Sequence, residues 1–127
     1  MLNNSLSLLP KLRRKDGGRS VKRMLKINEI EWELFLVDPN HSGLYVNGAP
    51  CMGTTWSAKA QIYIANNLAP SKMLLTIRHE ITHAFMDSTQ IRELEAYTEE
   101  DVCEFVAKYG YAVLQLADDV FKEPKKQ

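Results

Sequence analysis

Two histidines and a glutamate stand in the order His79-Glu80-Ile81-Thr82-His83. On a helix, residues four apart lie about 40° apart around the axis and one turn up. Both imidazoles then face one side and can reach a single Zn²⁺ at about 2.0–2.1 Å. Glu80 sits beside them without being needed as a ligand, and its carboxylate can hold the attacking water and take its proton. With three histidines in 127 residues, chance rarely assembles two ligands and a general base at this spacing. The bland alternative is two hydrogen-bonded polar residues on a core helix. It is disfavoured because two histidines and a glutamate crowded among apolar residues are costly to bury without a partner.

The surrounding residues supply the helix that this chemistry needs. Ala69-Pro70-Ser71 reads as a loop with an N-cap at Ser71. Leu74, Leu75, Ile77, Ile81, Ala84 and Phe85 follow at helical spacing and form a core face. Asp87-Ser88-Thr89 reads as the exit.

A zinc site needs a third protein ligand. The remaining histidine, His41, lies in the turn-like stretch Pro39-Asn40-His41-Ser42-Gly43. Downstream runs Thr98-Glu99-Glu100-Asp101-Val102-Cys103-Glu104. Thr98 with Asp101 resembles a capping box, and acids suit the first turn of a helix, so any one of these carboxylates is explained without a metal. A helix from Glu99 puts Val102, Phe105, Val106, Tyr109 and Val113 on a core face. Glu100, Cys103, Glu104 and Ala107 share the adjoining stripe, from which a carboxylate could reach the metal.

Together, Ile77 to Phe85 and Glu99 to Gly110 resemble the ImmA/IrrE family of metallopeptidases, in particular the small versions carried by phages and integrated elements. The resemblance extends over roughly residues 24–115, with the His-Glu-x-x-His and Glu-x-x-Cys parts its specific portion. It implies a zincin-like domain with one Zn²⁺, ligated by His79, His83 and a glutamate on the following helix. That glutamate typically lies three residues before a small residue, so Cys103 selects Glu100. Glu104, Glu99 and His41 are the alternatives, in that order. The resemblance also implies a strand before the zinc helix, matching Gln61 to Leu68, and a regulatory substrate such as the helix-turn-helix repressor of the same mobile element.

For the donor that stabilises an oxyanion, Tyr97, Tyr109, Tyr111 and His41 are the candidates. Asp87, four residues after His83, is a candidate partner for a ligand histidine.

Length and composition set the frame. A chain of 127 residues with 45% hydrophobic residues fits one globular domain with a modest core. Residues 1–26 carry eight basic side chains against Asp16 alone, so at zero formal net charge the remainder holds an excess of seven acids. We read residues 1–23 as a basic N-terminal arm and 24–127 as the metallopeptidase domain. The arm could meet an acidic partner, but no aromatic residue is interleaved with its charges, so nucleic-acid binding is not expected. Leu6 to Leu9 is too short for a signal core, and no run reaches a membrane span. Cys51 and Cys103 form no Cys-x-x-Cys pair. The expectation is a reduced, cytoplasmic protein, with Cys103 a buried small hydrophobe.

Strands are expected at Met24–Ile27, Glu31–Val37, Cys51–Trp56 and Lys59–Ala65, the last two joined by a tight Ser57-Ala58 connection, with a turn at Asn47-Gly48. The second helix should run from Thr98 to about Asp118. The expected fold is α+β: a small, mostly antiparallel sheet of three or four strands packed on two main helices. The last strand before the zinc helix should offer its edge to a peptide by β-augmentation. The expected function is that of an HExxH zinc endopeptidase cleaving a regulatory protein. The rival is a non-catalytic zinc-containing interaction protein acting through its basic arm, which leaves Glu80 without a purpose.

Overall fold

The computed structural model describes residues 21–89 and 96–122. Strands β1 (Val21–Ile27) and β2 (Ile30–Val37) form a hairpin. They pair antiparallel from Val21↔Leu36 to Ile27↔Ile30. The two-residue loop holds Asn28 and Glu29 at φ 49° and 69°, the left-handed pair that matches strand twist in such hairpins. Glu29 is an uncommon residue there, which hid this turn from a sequence reading. Val21, Lys22 and Arg23, read with the arm, already pair with β2; the rest of the arm, residues 1–20, lies outside the described residues.

After β2 the chain makes a 3₁₀ turn at Ser42–Leu44 and a small hairpin of β3 (Tyr45–Val46) and β4 (Ala49–Pro50). Asn47 and Gly48, at φ 53° and 81°, close it as expected. Strands β5 (Gly53–Trp56) and β6 (Gln61–Ala65) follow. Their connection is longer than a Ser57-Ala58 turn. It is a 3₁₀ turn at Ser57–Lys59, closed by Ala60 in the left-handed region.

The main sheet has the order β1-β2-β6-β5. The outer pairs are antiparallel and β2–β6 is parallel, so the mostly antiparallel sheet of the α+β expectation is observed. The order corrects one point. β6, the strand before the helix of the His-Glu-x-x-His motif, is flanked on both sides and has no edge to offer. Among the described residues the edges are β1 and β5, and β5 is the one beside the motif helix.

Helix α1 spans Pro70–Asp87 and helix α2 spans Glu99–Lys122. The N-cap of α1 is Ala69, without a side-chain bond, and Pro70 starts the helix. Ser71 is therefore inside the helix, because proline's fixed φ and missing N–H suit the first helical position. The Thr98–Asp101 capping box is present in both directions, with Thr98 N donating to Asp101 Oδ2 at 2.9 Å and Asp101 N donating to Thr98 Oγ1 at 3.1 Å. Among the described residues no helix is long and apolar enough to cross a membrane.

Both helices cover one face of the sheet. Leu25, Ile27, Trp32, Leu34, Ile62 and Ile64 point from the strands at Ile77, Ile81, Ala84 and Phe85 of α1 and at Val113, Ala117 and Val120 of α2. The buried residues of α2 all lie in its C-terminal half. Val102 and Val106, expected in the core, are exposed, as are Leu75 and Cys103. On the far face of the sheet, Val37, Leu44 and Ala65 make a smaller cluster with Phe35 and Tyr63.

Candidate metal and catalytic site

Helix α1 carries the motif as its spacing requires. The rings of His79 and His83 lie 4.9 Å apart, edge to face, and both residues are exposed. Glu80, one residue on, turns about 100° around the helix toward β5 and is buried at 6% exposure. A carboxylate in that position needs partners.

Two residues of β5 make room for it and hold it. The alternation of β5 aims Gly53 and Thr55 at α1, since they pair with Ile64 and Ile62 of the core face. A Cβ at Gly53 would lie 2.8 Å from Thr76 Cγ2 and 2.9 Å from Glu80 Cγ, so only glycine permits this approach of strand and helix. Thr55 Oγ1 lies 2.6 Å from Glu80 Oε1 and 3.1 Å from the Glu80 carbonyl. A hydroxyl has one proton, and the shorter contact to the carboxylate is the stronger acceptor. We therefore assign the bond to Oε1, which leaves Oε2 for other work.

The other face of β5 is anchored as well. Thr54 Oγ1 donates to the Gly43 carbonyl at 2.6 Å, and Trp56 Nε1 donates to the same oxygen at 2.9 Å. His41 serves this anchor. Its Nδ1 accepts from Gly43 N at 2.9 Å, and its ring lies against Tyr63 on the sheet face away from α1. That position removes His41 both as a ligand alternative and as an oxyanion donor, because its role is to cap the turn behind the strand.

An open cleft of about 600 Å³ runs between β5 and α1. His79, Glu80, His83 and Met86 line one wall and Gly53 to Ser57 the other, and Tyr97 also lines the cleft. A second cleft of about 290 Å³ shares Gly53, His79 and Glu80 and continues toward Met52, Lys72 and Leu75. Of the tyrosines considered as oxyanion donors, Tyr97 alone borders a cleft. Tyr109 packs between Phe85 and Phe105, and Tyr111 is 78% exposed and lines neither cleft. Asp87 is the last residue of α1 and lines neither cleft.

No family model, curated protein or solved structure matches this chain.

The two imidazoles are chemically suited to zinc, being adjacent, exposed nitrogen donors on one rigid element. The described residues do not bring a third donor beside them. Glu99, Glu100 and Glu104 are all exposed at the start of α2 and line neither cleft, and Glu104 pairs instead with Lys108 at 3.3 Å. Among the described residues no third His, Cys, Asp or Glu joins His79 and His83 in a group able to hold a metal ion. Glu100 does, however, lie three residues beyond Tyr97, which lines the first cleft.

Gly53, Thr55, Lys72 and Met86 line the clefts and are not among the site residues expected from the sequence. A glycine inside an expected strand is a usable signal of close backbone approach. Thr55 carried none, since its role depends on which face of β5 meets α1.

Proposed function

We propose that this protein is a zinc-dependent endopeptidase of the HExxH type. One observation carries the reading. A buried carboxylate, held at one oxygen by Thr55, lies between two exposed imidazoles and the edge of a strand. A histidine pair serving only to bind structural zinc has no use for such a group.

His79 and His83 would hold Zn²⁺, with Glu100 as the third ligand that the family resemblance implies. The ion, when bound, supplies a Lewis acid for the scissile carbonyl and lowers the pKa of water. Glu80 takes the proton of the attacking water at Oε2 and returns it to the leaving amine. Thr55 keeps Oε1 fixed, so the carboxylate does not swing away during this transfer. The outer edge of β5 pairs with the substrate main chain by β-augmentation and sets the scissile bond beside His79 and His83. Tyr97, which lines the cleft, is the donor we assign to the developing oxyanion. A regulatory protein, such as the helix-turn-helix repressor of a phage or mobile element, is the substrate this resemblance implies.

The test separates ligand from base. Glu80→Gln should retain zinc and fold while losing proteolysis, because an amide cannot accept the proton. His83→Ala should lose both metal and activity. Elemental analysis beside a cleavage assay decides, and wild-type cleavage by Glu80→Gln would sink the mechanism.

A further inference from the structure

Lys72, Leu75, His79, His83 and Met86 fall on one stripe of α1, at spacings of three, four and seven residues. The two clefts follow this stripe and meet at Gly53, His79 and Glu80. Lys72 and Met86 are fourteen residues apart, so the combined groove is about 21 Å long. That length holds about six residues of extended chain.

The second cleft has a definite chemistry. Leu75 and Met52, 58% and 47% exposed, give it two apolar walls. Lys72 closes its far end and, among the described residues, is the only Lys or Arg lining either cleft. Among the described residues no ion pair or hydrogen bond engages its ammonium. Among the described residues Glu80 is the one carboxylate on the walls of either cleft, and it is bonded to Thr55. An acidic side chain entering there meets an unengaged cation. A basic one meets like charge.

We propose that the second cleft is a specificity subsite for an acidic residue. It lies about three positions from the scissile bond, with an apolar neighbour on the nearer side. The spacing follows from the seven residues between Lys72 and His79, about 10 Å along the helix, which three extended residues span. The proposal rests on the peptidase reading for the position of the scissile bond. The charge preference itself belongs to the groove and is open to test without hydrolysis.

Two measurements separate these. In the first, the zinc-loaded full chain digests a library of end-blocked ten-residue peptides, and mass spectrometry reads the cleavage sites. Asp or Glu about three positions from the cut should be favoured about fivefold over Lys or Arg, the scale of one partly exposed ion pair. Lys72→Ala should flatten the preference, and Lys72→Glu should reverse it. Cleavage with a flat profile, or a profile unchanged in Lys72→Glu, overturns the subsite while leaving the peptidase intact. In the second, fluorescence anisotropy follows two labelled peptides of one sequence, differing only by Glu or Lys in the acidic position, on Glu80→Gln protein. Tighter binding of the Glu peptide, reversed by adding Lys72→Glu, upholds the subsite even if no peptide is ever cut. Equal binding of the two peptides ends it.

Discussion

Thr55 and Glu80 are joined across the gap between β5 and α1 by a 2.6 Å hydrogen bond from the hydroxyl to Oε1. The bond links the edge strand to the helix that carries both histidines. It satisfies half of a buried carboxylate and leaves the other oxygen beside the cleft. Gly53, two residues earlier on the same face of β5, makes the approach sterically possible.

Thr55→Val keeps the shape and removes the donor. We expect a loss of about 1–3 kcal/mol in stability, the cost of leaving a buried acceptor unsatisfied. Proteolysis should fall about 10–100-fold, the usual scale for a residue that orients a reacting group. Zinc should be retained, and Thr55→Ser should restore most of both losses. Denaturant titration beside a cleavage assay checks this, and a Val variant with full activity would show that Thr55 does not position Glu80.

Gly53→Ala tests the packing. The new methyl would press on Glu80 Cγ and on Thr76 Cγ2. Thr76 cannot rotate away cheaply, since it is β-branched and its hydroxyl is bonded to the Lys72 carbonyl at 2.8 Å. Overpacking of this kind costs about 1–3 kcal/mol. A fall in melting temperature is expected, together with reduced activity as β5 is pushed from α1. An unchanged melt would mean that the strand shifts freely.

The third ligand can be assigned by zinc affinity. Competition with a chromogenic chelator should show Glu100→Ala weakened by at least about tenfold, with Glu99→Ala and Glu104→Ala close to wild type. If Glu104→Ala is instead the weakened variant, the ligand lies one turn further along α2. Equal affinity in all three variants would put the third ligand outside these acids.

Glu33 supplies a pH-dependent contribution to folding, remote from the site. Gln61 Nε2 donates to its Oε1 at 2.9 Å, and Lys22 Nζ lies 3.4 Å from its Oε2. The Gln61 bond, outweighing the partial burial, and then Lys22 hold its carboxyl below the ordinary range. A depressed folded pKa stabilises the native state above the unfolded value, near 4.5, and the benefit is lost as pH falls through the folded value. Glu33→Gln should therefore be less stable than wild type at pH 7, with the gap closing in acid below about pH 4. Denaturant midpoints at the two pH values measure it, and a gap that widens in acid would reverse the sign assigned here.

What the sequence determined alone is what depends on residues within a few positions of each other. His79 and His83 share a helix face because they are four apart. Thr98 and Asp101 cap each other because they are three apart, and Asn47-Gly48 turns because both residues tolerate positive φ. The class of the fold followed from apolar periodicities of the same short range. Tertiary structure decided the rest. The order β1-β2-β6-β5 encloses β6 and leaves β5 at the edge, a choice made by burying both faces of the sheet at once. That choice turned Gly53 and Thr55 toward Glu80, sent His41 to the far face, and left Leu75, Val102 and Val106 exposed despite their helical spacing. Helical periodicity shows which residues share a stripe. Only the neighbouring elements determine whether that stripe is covered, and those neighbours come from distant parts of the chain.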